Sequence, residues 1–254
     1  GEKQNRNSGF LDGERYTERK NYYHKPVANL NWDFDINETL DLSTVVYASW
    51  GRGGGTGGLG RGRVRVNDND NQNIDFDQIV ENNIDSADGN GFGNFGDSYI
   101  RRSSVNNHNW YGILSNLNIE LEENWAFNLG FDGRLYHGDH FRQVNDLLGL
   151  NGFTDNFRTD RPDDYVFTEE FKADPWSALF DFADEANRTQ FDYSEDINYL
   201  GGFGQAEYST EKFAVFVQAA VSTQSYQREG RFVGTGDGLG KSEKLNKIGY
   251  NFKG

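Results

Sequence analysis

Three short polar turns, each set between segments that alternate apolar and polar residues, constrain this chain more than any other feature. They are Asn37-Glu38-Thr39, Glu122-Glu123-Asn124 and Ser209-Thr210-Glu211-Lys212. A side-chain period of two marks a strand with one apolar face, and a tight connection between two such runs makes a β-hairpin. Before the first turn Ala28, Leu30, Trp32, Phe34 and Ile36 alternate with Asn29, Asn31, Asp33 and Asp35. After it Leu40, Leu42, Thr44, Val46, Ala48 and Trp50 alternate with Asp41, Ser43, Val45, Tyr47 and Ser49. The second turn separates Tyr111, Ile113, Leu117, Ile119 and Leu121 from Trp125, Phe127, Leu129 and Phe131. Their opposite faces carry Asn116, Asn118 and Glu120, then Asn128, Asp132 and Arg134. The third turn leads into Phe213, Val215, Val217, Ala219 and Val221.

The hairpins are expected at about 22–52, 108–138 and 196–228, within one β-barrel domain over 1–254. Long loops of about 53–107 and 139–195 separate them, and a shorter one lies near Glu229–Leu245. Loops of that length are uncommon in compact soluble domains. Tight turns at one strand end and long loops at the other are the asymmetry of an outer-membrane barrel, and ten to fourteen residues suffice for a tilted crossing.

Composition agrees. Of 254 residues, 31 are Gly and 38 are Phe, Tyr or Trp, which fits strands and polar loops better than a helical bundle. No apolar run reaches the ~18 residues of a spanning helix, and no stretch has a signal-peptide plan. The net charge of −15 argues against nucleic acid as a partner. There is no cysteine, hence no disulfide or thiolate site.

The pattern yields six full strands and the start of a seventh at Lys247–Lys253. That is below the eight or so of a closed membrane barrel, and an open edge has no hydrogen-bond partner in lipid. The chain is therefore expected to be an antiparallel transmembrane β-barrel section, six to seven strands of a larger barrel with long outer loops.

Several stretches then carry a family likeness. They are Tyr22-Tyr23-His24-Lys25-Pro26, the run from Val45-Val46-Tyr47-Ala48-Ser49-Trp50 through Gly51–Gly57, Arg102-Ser103-Ser104-Val105-Asn106-Asn107-His108-Asn109-Trp110-Tyr111-Gly112, Asn128-Leu129-Gly130-Phe131-Asp132-Gly133-Arg134, and Gly201-Gly202-Phe203-Gly204-Gln205-Ala206-Glu207-Tyr208. In this order the chain resembles TonB-dependent outer-membrane receptors of the Bacteroidetes type, the SusC-like group and its relatives. The resemblance implies a 22-stranded barrel with a plugged lumen in the bacterial outer membrane. It also implies TonB-driven import of a nutrient (glycan, peptide or metal chelate) and a SusD-like surface lipoprotein as lid. Plug and TonB-contact segment are expected to lie outside these residues.

In such a barrel apolar faces meet lipid and polar faces line the lumen. Asn116, Asn118, Asp132, Arg134, Gln205 and Glu207 are the lumen-facing candidates for contact with plug or substrate. Trp32, Trp50, Trp110 and Trp125 lie near strand ends and are expected in the aromatic girdles.

The remaining constellations read more plainly. Gly51–Gly58 lacks the Gly-Lys-[Ser/Thr] ending of a phosphate loop and reads as a flexible strand end. Arg61, Arg63 and Arg65 alternate as on one face of a short strand, where they could contact an anion. The run Asp68-Asn69-Asp70-Asn71-Gln72-Asn73 fails the EF-hand template, although a loop of this kind can hold calcium through mixed oxygen ligands. From Asp139 to Asp196 fifteen acidic and five basic residues give −10, a charge that could attract cationic ligands or divalent ions and reads first as a solvated outer face. Within it Asp174-Pro175 starts a helix whose Trp176, Phe180 and Ala183 are expected to pack on the rim, with Trp176 as the outer-loop ligand candidate. His137 and His140 lack a third ligand for zinc. No catalytic set, cofactor site or metal site emerges, and the chain is not expected to be an enzyme. A structural or adhesive outer-membrane barrel and a soluble carbohydrate-binding β-sandwich are the alternative classes.

Overall fold

Alternation along the chain becomes register across a sheet. The structure, a computed structural model, describes residues 5–66, 72–121, 124–233 and 238–254. Its strands are β1 (Ser8–Leu11), β2 (Glu14–Thr17), β3 (Asn21–His24), β4 (Val27–Asn37), β5 (Leu40–Gly60), β6 (Ile74–Asp75), β7 (Phe92–Gly93), β8 (Tyr99–Leu121), β9 (Trp125–Asp146), β10 (Gly152–Thr154), β11 (Val166–Phe167), β12 (Thr189–Ser209), β13 (Ala214–Val233), β14 (Gly240–Lys241) and β15 (Leu245–Lys253). One α-helix, α1 (Phe76–Ser86), lies between β6 and β7.

The long strands form an antiparallel meander in which β5, β8, β9, β12 and β13 each pair with the next. At one edge β3 and β4 both pair with β5, as a single strand interrupted at Lys25-Pro26. Proline cannot donate to the ladder, yet its carbonyl still accepts from Trp50 N at 3.1 Å. At the other edge β14 and β15 both pair with β13. Among the described residues the strand count is thus fifteen, the nine-stranded sheet amounts to seven strand positions, and that sheet is open. Seven to nine residues beyond each expected hairpin bound at the two long loops still belong to strands, so the loops shorten to 61–98 and 147–188. The glycine run is part of this extension. It is no flexible end, because Gly54–Gly60 pairs with Tyr99–Val105 throughout.

Near the tight turns the register collects the apolar side chains on one face. Phe34, Leu42, Leu117, Leu129, Gly204, Ala219 and Phe252 form one row across the sheet. Trp32, Thr44, Ser115, Phe131, Gly202, Val221 and Tyr250 form the next. This face has no cover: Leu30 is 69 %, Leu129 52 % and Val221 59 % exposed. Among the described residues, none of the buried apolar side chains falls within 40–50, 110–136 or 197–226.

The buried core lies at the other end, where the connecting segments pack around the outer ends of the strands. Leu59, Ile100, Val144, Leu147, Leu150, Phe153 and Phe167 make one cluster, and Ile74, Phe76, Ile79, Tyr99 and Leu148 a second. Helix α1 starts where Asp75 accepts from Gln78 N at 3.1 Å. Its Asn83, 1 % exposed, donates to the carbonyls of Tyr99 and Leu148 and accepts from Tyr99 N. Val105 and Phe141 are covered by Phe171 and Ala183 of the 147–188 connection. The connections are therefore a folded layer rather than solvated loops.

Candidate functional site

The opposite face of the sheet is polar. Asp35, Asp41, Asn118, Asn128, Gln205, Gln218 and Lys253 stand in register across seven strands. Asn118 Oδ1 accepts from Asn128 Nδ2 at 2.6 Å and from Asn116 Nδ2 at 3.2 Å. All six lumen-facing candidates fall on this face, four of them beside one another. Asn118, Gln205 and Glu207 line a recess of about 250 Å³ with Glu120 and Asn128, and Asn116 bonds into it. The other two sit apart, farther from the turns. Arg134 chelates Asp132 on its own strand, with Nη2–Oδ2 2.5 Å and Nε–Oδ1 3.2 Å, and its guanidinium lies 4.8 Å from the Tyr199 ring centre.

Two glycines on this face lie beneath aromatic rings. The Tyr47 ring lies over Gly112 and the Phe203 ring over Gly130, so each glycine on one strand makes room for an aromatic ring on the next. Such pairs keep bulk close to the sheet and leave polar groups standing above it.

Farther out the same parity continues through His108, Asn106, Ser104 and Arg102 on β8, and through Gly138, His140 and Arg142 on β9. Tyr23 OH meets His108 Nε2 at 2.7 Å, and His140 Nδ1 meets Asn106 Oδ1 at 2.7 Å. Arg102 and Arg142 were not singled out from the sequence. Counting alternation outward from Arg134 through Tyr136, Gly138 and His140 places Arg142 on this face, and that signal was available.

Other expectations are corrected. Trp176 is 70 % and Phe180 88 % exposed, while Ala183 alone of the three is buried. Asp174 accepts from Trp176 N and Ser177 N but is not the cap, because the 3-10 turn Ser177–Leu179 has Trp176 as its N-cap, and three residues are too short to build a packing face. Trp176 remains accessible, with its ring 4.3 Å from that of His24. Trp50 and Trp125 stand at the two borders of the apolar rows. Trp32 lies in the middle of them, and Trp110 faces the polar side beside Tyr136.

Arg61, Arg63 and Arg65 lie beyond the end of β5 and share no strand face. Arg61 rides over Phe95, Arg63 pairs with buried Glu18 at 2.7 Å, and Arg65 donates to the carbonyls of Arg6 and Gln72. Of the acidic run 68–73, residues 68–71 are outside the described residues, and so are Glu122 and Glu123 of the second turn. His137 and His140, three apart on a strand, point to opposite faces and bind separate partners, Asp196 and Asn106. Among the described residues no group of three side chains is placed to hold a metal ion.

Some carboxylates of the acidic segment 139–196 serve structural pairs. Arg158 chelates Asp160 and holds its carboxyl below the usual range. Arg188 pairs with Asp192, and Asp184 accepts from Asn187 N. Burial instead pushes the Asp155 carboxyl up, against the attraction of Phe157 N–H and Arg161.

No protein-family model matches the chain, and no curated protein sequence matches it. What the fold defines is an all-β protein built on antiparallel sheet, with one bare apolar face, one polar face and a folded layer at one end.

Proposed function

We propose that these residues are a strand-and-loop section of a TonB-dependent outer-membrane receptor that imports a nutrient into the periplasm. The observation that carries this reading is the bare apolar face backed by a polar one. In water such a face, several rows deep and seven strand positions wide, is unstable unless another surface covers it. A sandwich would cover it with a second sheet, and none packs there among the described residues. Lipid covers it in an outer-membrane barrel. From Trp125 to Leu135 the apolar stretch of β9 is ten steps, about 34 Å along the strand at ~3.4 Å per residue. With the usual barrel tilt this projects to roughly 25 Å, the height of a lipid-facing band.

The two edges support a larger barrel. The free sides of β4 and β15 carry unpaired backbone groups that lipid does not satisfy, so further strands adjoin them. The turns lie at the periplasmic end and the folded layer outside. The polar face then lines the lumen, where Asn116, Asn118, Asp132, Arg134, Gln205 and Glu207 contact a plug or the passing solute. Trp176 stands on the outer layer as a surface for ligand stacking. The segments that resemble SusC-like receptors add the energised mechanism, with TonB contacting a part outside this chain and a SusD-like lipoprotein as lid. The solute is a glycan, peptide or metal chelate.

The test is the denatured mass of the polypeptide extracted with detergent from outer membranes, followed by uptake with and without TonB. A mass several times 28.9 kDa and TonB-dependent uptake are expected. A mass near 28.9 kDa, or recovery without detergent, overturns the reading.

A further inference from the structure

Beyond the expected lumen residues, the polar face holds a basic cavity at its outer end. It has a volume of about 610 Å³ and is lined by Arg19, Lys20, Asn21, Arg102, Ser104 and Arg142. Four cations thus converge in a chain whose net charge is −15. The two at the centre have no carboxylate partner among the described residues. Arg102 Nη1 donates only to Ser104 Oγ at 3.4 Å, and its Nε is buried without a hydrogen-bond partner. Arg142 donates Nε to the same hydroxyl at 3.2 Å and Nη1 to Gln190 Oε1 at 2.5 Å. One neutral hydroxyl therefore serves two guanidinium groups. Arg19 has Glu18 beside it at 3.5 Å, and Glu18 is turned toward Arg63 at 2.7 Å and toward Tyr99. Lys20 also acts on the charge of Asp174.

The floor is shaped to keep this arrangement. A Cβ on Gly57 would come within 3.2 Å of Arg102 Nη1, and one on Gly55 within 3.0 Å of Asn21 Oδ1. The glycines of β5 let the Arg102 guanidinium lie close to the strand. Arg142 is steadied by the Phe191 ring, 4.9 Å from its guanidinium carbon. Burial and the neighbouring Arg142 and Arg19 pull Arg102 down to about 10, and burial lowers Arg142 as well. Both remain charged at neutral pH, and both are held in a place that disfavours their charge. An oxyanion relieves that cost, because guanidinium groups recognise carboxylate and phosphate through paired, charge-assisted hydrogen bonds.

We propose that this cavity is an oxyanion-binding site, which seats a carboxylate or phosphate group between Arg102 and Arg142, with Arg19 and Lys20 at its mouth. The volume exceeds what a bare ion fills and suits a solute of which the anion is one end. The inference rests on the geometry of the cavity and not on the import reading, so failure of TonB-dependent uptake leaves it standing.

Calorimetric titration of the purified full chain in detergent tests it, with inorganic phosphate and citrate as probes and maltose as the uncharged control. One of the two anions is expected to bind, maltose is not, and Arg102→Gln or Arg142→Gln weakens binding at least about tenfold. Arg61→Gln, outside the cavity, leaves it unchanged. Tighter citrate assigns the site to a carboxylate, tighter phosphate to a phosphoryl group. A second measurement needs no variant. Phenylglyoxal labelling read peptide by peptide should show Arg102 and Arg142, but not Arg61, protected by the anion. The proposal is overturned if neither anion binds at about 10 mM, a Kd too weak for a built site. Binding that survives both substitutions, or labelling that the anions do not change, overturns it as well.

Discussion

Arg188 and Asp192 form a buried ion pair, with Nη1 2.9 Å from Oδ1, where β12 leaves the outer layer. Asp192 is 0 % exposed and also receives Arg231 from β13 at 2.8 Å. Arg188 in turn donates Nε to the Ala183 carbonyl and covers the Phe141 ring at 4.1 Å. The register shifts beside Asp192 against both neighbouring strands, so the carboxylate sits at a bulge and gathers two arginines there. Asp192→Ala removes the one carboxylate paired with Arg188 among the described residues, leaves Arg231 only Asp139 and Glu185, and is expected to destabilise the outer layer by about 3–5 kcal/mol. Hydrogen exchange should show the loss in 171–192 and spare the hairpin ends, and unchanged protection would refute the role given to the pair.

Phe131 and Asn128 test which face meets lipid. Phe131 lies in the middle row of the apolar face, and Asn128 lies on the polar one. Phe131→Arg should cost about 2–4 kcal/mol of folding into lipid vesicles, and Asn128→Arg about 0–1. Urea titration of the vesicle-inserted protein reads both, and equal costs would mean that this face is covered by protein.

Gly130 and Phe203 are predicted to be coupled. A Cβ at position 130 would fall 1.9 Å from Phe203 Cζ, so Gly130→Ala displaces the ring and is expected to cost about 1–3 kcal/mol. Adding Phe203→Ala removes the clash, and the double variant should be more stable than the sum of the two single losses. Additive losses in a double-mutant cycle would show that the ring does not rest on the glycine.

Asp155 and Asp160 give opposite pH dependences. Burial raises the Asp155 carboxyl above its unfolded value of 3.8, so the ionised form destabilises the fold at neutral pH. That penalty is removed as pH falls through the folded value toward 3.8. The hydrogen bond from Arg158 lowers Asp160, whose contribution is present above 3.8 and lost as pH falls through its depressed value. Relative to Asp155→Asn, the wild type should therefore gain stability between pH 7 and about 4, and relative to Asp160→Asn it should lose stability below about 4. Thermal melts of the three proteins across this range decide it, and a difference that does not change with pH removes the assignment.

The hairpin ends were legible because their information is local. A period of two, read from Leu40 to Trp50 or from Trp125 to Phe131, assigns each side chain to a face before any partner is known. The tight turns then set the pairing of neighbours. The glycine run of β5 was not legible as strand, because glycine has low β propensity and no side chain to display a period. It pairs because β8 supplies Tyr99 and Arg102 to fill the space above it. Helix α1 had a readable start in Asp75 and readable spacing in Phe76, Ile79 and Asn83. Its eleven residues lie inside a long connection whose other residues carry no helical period.

By itself the sequence determined the all-β class, the hairpin turns and the division of each strand into an apolar and a polar side. Those follow from backbone geometry and side-chain period, which act over a few residues. The tertiary structure adds that the apolar sides share one bare face and that the connections fold into a buried layer around the outer strand ends. It also brought Arg102 to Arg142, forty positions away in the chain and adjacent in space without a carboxylate between them. Such meetings depend on register and packing summed over several strands, and no short window of residues contains them.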